Sequence, residues 1–433
     1  MVDTYGCQQN EADSERIRGY LQAMGCSFTG EPDEADVIVV NTCAVRAHAE
    51  QRVLGNVGAL VHSKRRHPGQ VICICGCMMN EPNVVAKVKG SYRHVDMTFP
   101  PQSLWRFPEL LEQVLSDGKR LFDANDEDSV AEGIPVVRQG DTKAWVSVMY
   151  GCNNFCSYCI VPHVRGRERS RSPEAVLREV GELAAAGYKD ITLLGQNVNS
   201  YGKDLPGNMD FATLLRKVNG VPGDFLIRFM TSHPKDASPA LFDAMAQCEK
   251  VAPHLHLPVQ AGSDRILKAM NRGYTAAHYL NLVEQLRARI PYVVLTSDII
   301  VGFPGETEEE FRETLRLIEQ VRYEALFTFL YSPRPGTPAA ELPDPVPAAE
   351  KSRWFDELVA AQNAISAEKH AAYVGRELRV LVDGADSDGK HDLTARTAGG
   401  RLVHLTGDAS AIGTYQMARI TGASTWALFG ELK

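Results

Sequence analysis

The stretch Gly151-Cys152-Asn153-Asn154-Phe155-Cys156-Ser157-Tyr158-Cys159 constrains this chain more than any other. It sets three cysteines at C-x3-C-x2-C spacing directly after a short apolar run, residues 144–150, that reads as a β-strand. Three thiolates converging in one loop hold three irons of a 4Fe-4S cube and leave the fourth iron without a protein ligand. An open iron is a coordination site for a small molecule, so the spacing points to reactivity rather than electron storage alone. A structural zinc site closes at four ligands and pairs C-x2-C with a second such unit, which this loop lacks. Tyr158, just before the last cysteine, is placed to pack beside the cluster or its ligand.

The 433 residues, 44% hydrophobic and 23% charged, suffice for two or three soluble domains with separate cores. No apolar run approaches the roughly 20 residues that span a bilayer, and the first residues lack the pattern of a secretory signal. The expectation is therefore a cytoplasmic protein without a membrane partner, in which ten cysteines read as metal ligands rather than disulfides. A net charge of −8 offers no bulk attraction for nucleic acid. A local basic patch does exist. Arg165, Arg167, Arg169 and Arg171 follow the cysteine loop, opposed only by Glu168, while Lys64-Arg65-Arg66-His67 reads as a solvated helix end.

Residues 1–115 alternate short apolar runs (36–41 and 71–75) with helical patterns such as 13–24, which predicts an open parallel α/β domain. Cys7, Cys43 and Cys77 fall at or just past strand ends. Loops at the carboxyl ends of parallel strands gather in one crevice, so these three residues can meet and form a second three-cysteine site. Cys73 and Cys75 alternate with Ile72 and Ile74 inside a strand and are expected in the core. Cys75 stands as an alternative third ligand, with Cys77 preferred because it lies beyond the strand. Residues 116–140 are rich in Asp, Glu, Gly and Pro and read as a solvated linker.

From 141 to 371 six strand–helix units recur, with strands expected at 144–149, 190–194, 225–231, 254–259, 293–301 and 325–331. Six units are fewer than the eight of a closed barrel, so an open (βα)6 partial barrel is expected. Its chemistry should gather at the carboxyl edge, where Gly195-Gln196-Asn197, Ser232-His233-Pro234, Gln260-Ala261-Gly262-Ser263, Gly302-Phe303-Pro304-Gly305 and Ser332-Pro333-Arg334 follow the strands. Such tips suit a polar small molecule, although His233 by itself reads as a turn-stabilising residue. Prolines from 333 to 347 mark a hinge before one long helix. Residues 372–433 then carry short strands with Asp, Gly and Ser turns, the pattern of a small antiparallel β-barrel with balanced charge.

These motifs resemble those of the radical S-adenosylmethionine (SAM) enzymes and, more closely, the methylthiotransferases. The resemblance rests on Thr4-Tyr5-Gly6-Cys7-Gln8-Gln9-Asn10-Glu11-Ala12-Asp13-Ser14-Glu15, on Asn41-Thr42-Cys43-Ala44-Val45-Arg46, on Tyr150 to Pro162, on Gly195-Gln196-Asn197-Val198-Asn199, on Gly302-Phe303-Pro304-Gly305-Glu306-Thr307 and on Ser332-Pro333-Arg334-Pro335-Gly336-Thr337. Val161-Pro162 with Arg165-Gly166-Arg167-Glu168 is similar to the MiaB type, which acts on N6-isopentenyladenosine beside the tRNA anticodon. The chain departs from the family pattern in a first strand shortened to a few residues before Cys7, in Gln9 where methionine is common, and in Ala261 where serine is common.

The resemblance implies an N-terminal methylthiotransferase domain, a radical SAM barrel and a C-terminal TRAM barrel that contacts substrate. It also implies two 4Fe-4S clusters, one on Cys152, Cys156 and Cys159 and an auxiliary one on Cys7, Cys43 and Cys77. On this reading the C2–H of an adenine, which no side chain deprotonates at neutral pH, is replaced by sulfur through radical chemistry and then methylated, consuming two SAM. Gln196, Asn197, Ser232, Gln260 and Arg334 are candidates for holding SAM, and Arg165, Arg167 and Arg169 for contacting phosphates of the anticodon loop. A one-electron donor such as a flavodoxin or ferredoxin is implied, with the sulfur donor open. The alternatives are methylthiolation of a ribosomal protein side chain or of another modified tRNA adenosine and, more distantly, a non-catalytic iron–sulfur electron carrier.

Overall fold

The computed structural model describes residues 1–44, 47–124, 130–387 and 389–433, with the side chains of 47–49 left aside. Val45 and Arg46 of the second motif and residues 125–129 of the expected linker lie outside the described residues.

The first unit is a parallel sheet of five strands in sequential order: β1 Val2–Thr4, β2 Val37–Thr42, β3 Val71–Gly76, β4 Met97–Phe99 and β5 Leu121–Phe122. Parallel strands covered on both faces need apolar residues on both sides, and β2 and β3 supply them. Ile38, Val40, Ile72 and Ile74 face one core with Val53, Val57 and Val88, whereas Val39, Cys73 and Cys75 face the other with Ile17, Leu21 and Phe107. The short β1 still pairs with β2 through Val2, Asp3 and Thr4.

The reading of 116–140 as a solvated linker differs from what the chain does there. Leu121–Phe122 adds an edge strand to β4. Further on, the Val137 N–H donates to Glu15 O (3.0 Å) and Arg138 pairs with Glu15 (2.6 Å) and Glu179 (2.5 Å). Two strand residues leave no alternation to detect, and a charged segment anchored by ion pairs has the composition of a solvated one.

The second unit carries six parallel strands. They are β6 Lys143–Ser147 (extended by β7 Met149–Tyr150, which pairs antiparallel with β8 Arg169–Ser170), β9 Asp190–Leu194, β10 Leu226–Phe229, β11 His254–His256, β12 Val294–Val301 and β13 Ala325–Leu330. They form the runs β6-β9-β10 and β11-β12-β13, joined by a parallel bridge between Ile227 and Val251. Helices cover the outside, where Leu193, Ile227, Leu255, Leu257, Leu295 and Ile299 are buried in one continuous core. The result is an open partial barrel whose edge strand is β13.

The helix Ala348–Ala371 packs along β13 and leads into a closed barrel of β14 Glu377–Ala385, β15 Leu393–Thr397, β16 Leu402–Thr406, β17 Tyr415–Ala423 and β18 Leu428–Leu432. Its pairings are antiparallel except β16 with β18, which is parallel. This small barrel docks on the amino-terminal end of the partial barrel. Arg228 donates to Ala398 O (2.7 Å) and Thr397 O (3.1 Å), Tyr415 to Lys189 O (2.6 Å), and Lys143 pairs with Asp383 (2.5 Å). The opposite end, which bears the cysteine loop, faces the first unit, whose Gln9 donates to Ser147 Oγ (2.8 Å) and whose Asn80 donates to Val164 O (2.7 Å).

Candidate active site

The loop after β7 owes its course to a few anchors. Gly151 has φ +72°, and a side chain there would meet the Arg167 carbonyl oxygen at 1.9 Å, so the turn requires glycine. Ser157 is tied down three times: its N–H donates to Met270 O (3.0 Å), its hydroxyl to Ala269 O (2.8 Å), and its carbonyl accepts from the Ala339 N–H (2.8 Å). Cys159 N–H closes back on Cys156 O (2.9 Å). Cys152 and Cys156 are buried and Cys159 is half-buried. Burial pushes the Cys152 thiol up to about 11 and, with Cys156 nearby, the Cys159 thiol up to about 12. Metal ligation therefore displaces protons from this loop.

Two groups face the Cys156 sulfur. Buried Arg272 donates to it at 3.3 Å, with its other nitrogen on Pro258 O (2.7 Å). His233 Nδ1 accepts from the Lys235 N–H (3.2 Å), and its Nε2 stands 4.0 Å from Cys156 Sγ. Burial, reinforced by Arg272, pushes His233 down to about 2, so the ring is neutral and Nε2 carries the proton. The histidine thus caps its turn, as the sequence suggested, and also points at the cysteine loop.

The second trio is assembled from three strand ends. Cys7 follows β1 and opens the helix Gln8–Ala23, Cys43 follows β2, and Cys77 follows β3. A side-chain carbon at Gly6 would sit 2.7 Å from Cys43 Cβ, so Cys7's neighbour and Cys43 touch. Burial pushes Cys77 up to about 12, and the nearby Cys43 and Cys7 push in the same direction. Cys75 packs on the opposite face of β3, in the core with Cys73, Ile17 and Phe107.

The helix that follows the cysteine loop reaches the second trio. The short helix Val161–Arg165 continues from the cysteine loop and packs against the Cys77–Asn80 turn, where Asn80 donates to Val164 O (2.7 Å). At its end Arg165, 4% exposed, donates Nε–H to Cys77 Sγ (3.1 Å) and reaches Asn10 Oδ1 and Asp13 Oδ2 (2.9 Å each). The expectation of Arg165 at RNA phosphates is therefore corrected, because its charge is buried and spent on Asp13. Arg167 is exposed and lies over the Phe155 ring at 4.4 Å. Arg169 is half-buried, donating to Arg165 O (3.2 Å) beside a crevice with Arg16, Trp105 and Tyr150.

The strand tips expected to hold a small molecule carry buried polar atoms without a partner among the described residues, namely Gln196 Oε1, Asn197 Oδ1 and Ser232 Oγ. Asn197 also donates to Asp236 (2.7 Å). Gln260 sits at φ +73°, and its backbone continues the sheet toward Asp298 and Ile300. Buried polar groups are normally satisfied, so this concentration at one edge fits a bound polar ligand such as SAM. The thiol trios, each with a guanidinium N–H on one sulfur, fit iron–sulfur clusters. Arg334, which follows β13, lies close enough to Glu81 and Cys43 to feel their charge. Asn199, with both amide atoms buried and unpartnered among the described residues, joins this set, and its place in Gly195-Gln196-Asn197-Val198-Asn199 was the signal in the sequence.

Sequence reasoning also missed the lumen. Because Leu255, Leu295 and Ile299 face the helices, the alternate residues of β11, β12 and β13 face inward. His254 and His256 share Thr296 Oγ1 (3.1 and 3.0 Å), and His256 Nε2 lies 3.5 Å from Asp298. Phe327 stands edge-on to His256 at 5.7 Å. The signal was available in His254-Leu255-His256, a polar–apolar alternation inside a barrel strand.

The chain matches the Radical SAM superfamily over residues 146–318, Uncharacterized protein family UPF0004 over 1–99 and the TRAM domain over 371–433. It is 50% identical over 432 residues to the tRNA-2-methylthio-N(6)-dimethylallyladenosine synthase of Thermoanaerobacter sp. (strain X514), covering 100% of this chain and 92% of that protein. The protein of the same name from Clostridium perfringens (strain 13 / Type A) is 48% identical, with 100% and 97% covered. Among solved structures, the radical SAM methyltransferase TsrM from Kitasatospora setae superposes with a TM-score of 0.60 at 16% identity, covering 78% of this chain and 74% of that one. The cobalamin-dependent SAM radical enzyme OxsB does so with 0.53 at 15%, covering 95% and 64%. At such identities these two bear on the fold alone.

Proposed function

Because the chain belongs to the radical SAM methylthiotransferase family of tRNA-2-methylthio-N(6)-dimethylallyladenosine synthases, we propose that it replaces the C2 hydrogen of N6-dimethylallyladenosine (isopentenyladenosine) beside the tRNA anticodon with a methylthio group. The observation that carries this reading is the pairing of two cysteine trios, one in a loop and one at three strand ends, joined through Arg165. An electron carrier needs no second trio at the mouth of an open barrel.

We assign Cys152, Cys156 and Cys159 to the cluster that binds SAM, and Cys7, Cys43 and Cys77 to the auxiliary cluster. When bound, these groups and two SAM supply the radical, the sulfur and the methyl group that an unactivated C–H bond demands. Arg272 and Arg165 each hold a positive N–H on one cysteine sulfur, which favours thiolate ligation and stabilises negative charge at either site. Gln196, Asn197, Asn199, Ser232 and Gln260 would orient SAM over the lumen, with Arg334 at the boundary between the two sites.

Arg167 and Arg169 remain the candidates for RNA phosphates. The target base has to leave its stack, which a loop nucleotide does more cheaply than one in a duplex. The C-terminal barrel sits at the far end of the partial barrel, so its contact with RNA would lie away from the reacting base. No described helix is long and apolar enough to cross a membrane, and we place the reaction in the cytoplasm with a flavodoxin- or ferredoxin-like electron donor.

The direct test is anaerobic incubation of the reconstituted chain with SAM, dithionite and prenylated tRNA, followed by mass spectrometry of the nucleosides. The 2-methylthio product is expected. Release of 5′-deoxyadenosine without it, on every tRNA tried, would redirect the search to a protein substrate.

A further inference from the structure

We propose that Phe327 and Phe329, with His256 beside them, form the wall of the barrel lumen that receives the dimethylallyl group of the substrate. This rests on the function proposed above and names the part of the site that reads the prenyl group.

The two phenylalanines alternate on β13 with Leu326, which packs against the outer core, so they face the lumen. They pair in register with Asp298 and Ile300 of β12. Both are exposed, 53% and 39%, although large aromatic side chains in a barrel strand are normally covered. An edge strand open to water is usually protected by charge or proline; the lumen face of β13 instead offers two bare rings. Below them the lumen turns polar, with His254, His256 and Thr296 hydrogen-bonded together. Lower still, the loop after β15 closes the end, held by Arg228. Above them lie the strand tips with their unpartnered Gln196, Asn197 and Ser232 atoms.

The occupant therefore has to reach past the SAM-binding edge and present both apolar surface and hydrogen-bonding groups. N6-dimethylallyladenosine does both. Its five-carbon branch is apolar and planar at the double bond, which suits aromatic edges, and its purine edge can meet Asp298 and His256 on the adjoining strands. An unmodified adenosine would leave the phenylalanines wet and forfeit their contribution, which is how an apolar pocket discriminates.

The test compares two anticodon stem-loops, one with N6-dimethylallyladenosine and one with adenosine at the same position, bound to the full chain and measured by fluorescence anisotropy. Wild type should prefer the prenylated RNA. Phe327→Ala and Phe329→Ala should lower that preference by roughly tenfold or more, mostly by weakening the prenylated complex, while Phe327→Leu, which keeps an apolar wall, retains most of it. Thermal unfolding of each variant confirms that the fold is kept. An unchanged preference in both alanine variants overturns the pocket, as does a wild type that binds the two RNAs equally. Methylthio product from wild type on prenylated tRNA, measured in parallel, separates that failure from failure of the proposed function.

Discussion

The two cysteine sites reach the same donor set by opposite routes. Cys152, Cys156 and Cys159 lie within one loop, so their proximity is a local property set at the Gly151 turn, and the Ser157 hydrogen bonds to Ala269 and Met270 then fasten that loop to the barrel. Cys7, Cys43 and Cys77 are brought together only by parallel pairing of β1, β2 and β3. The first site needs no pairing of β1, β2 and β3, whereas the second is a tertiary product and takes a hydrogen bond from Arg165, delivered by the helix after the loop of the first. The difference teaches that the distant site is subordinate: its geometry is completed by the local one.

The largest expected effects come from removing ligands on either side. Cys156→Ala should abolish both 5′-deoxyadenosine release and methylthio product, measured by chromatography of an anaerobic reaction. Cys43→Ala should abolish the product alone and leave SAM cleavage running. Equal loss of both activities in Cys43→Ala would break the separation between the sites.

Next comes Arg165. Its guanidinium pairs with Asp13 in a place where both side chains are nearly covered, 5% and 7% exposed. Replacing it by Met strands the Asp13 charge, and breaking such a pair costs about 3–5 kcal/mol. Denaturant unfolding should show that loss, and iron analysis should fall toward the content of a single cluster. Arg165→Lys keeps the charge without the planar fork and should recover part of the stability. Retention of full iron by Arg165→Met would mean that the second trio stands without help from the first.

Arg165 also shows why the candidate site was only partly legible. Four arginines near one another read as a surface patch, yet Asp13 and Cys77, the partners that bury one of them, lie 152 and 88 positions away. Arg171 was drawn inward in the same way, by Glu132 (2.7 Å) and Glu179 (2.6 Å). Strand periodicity, by contrast, is local. The expected strand 190–194 forms as Asp190–Leu194, and the run at 71–75 differs by one residue from Val71–Gly76. Cysteines past strand ends were therefore readable, because strand ends are. The alternation in His254-Leu255-His256 is local too, but the meeting of those residues with Thr296 and Phe327, like the docking of the C-terminal barrel, depends on which strands neighbour which, and no window of sequence carries that.

Arg272 is the counterpart of Arg165 in the local site and gives a smaller prediction. It donates to Cys156 Sγ and Pro258 O from a fully packed position. Hydrogen bonds to charged groups contribute about 1.5–3 kcal/mol, and those to cluster sulfurs help set the reduction potential. Arg272→Gln should lower the potential of the SAM-binding cluster in an EPR-monitored titration and leave the auxiliary cluster's unchanged. A shift of both would mean that the two sites are electrostatically one.

The smallest effect tests whether the loop is held as locally as its sequence suggests. The Ser157 hydroxyl donates to Ala269 O at 2.8 Å, while its backbone N–H bonds Met270 O independently of the side chain. Ser157→Ala removes the first bond and keeps the second. A neutral hydrogen bond contributes about 1 kcal/mol net, so thermal unfolding should shift down slightly. The Ala269 carbonyl loses a partner and the loop loses one of several ties, which should raise the KM for SAM more than it lowers kcat. Iron content and the Arg165-dependent site should be untouched. If Ser157→Ala instead drained iron from Cys7, Cys43 and Cys77, the loop would be transmitting strain along Val161–Arg165, and the two sites would be one folding unit rather than a local site and its dependant.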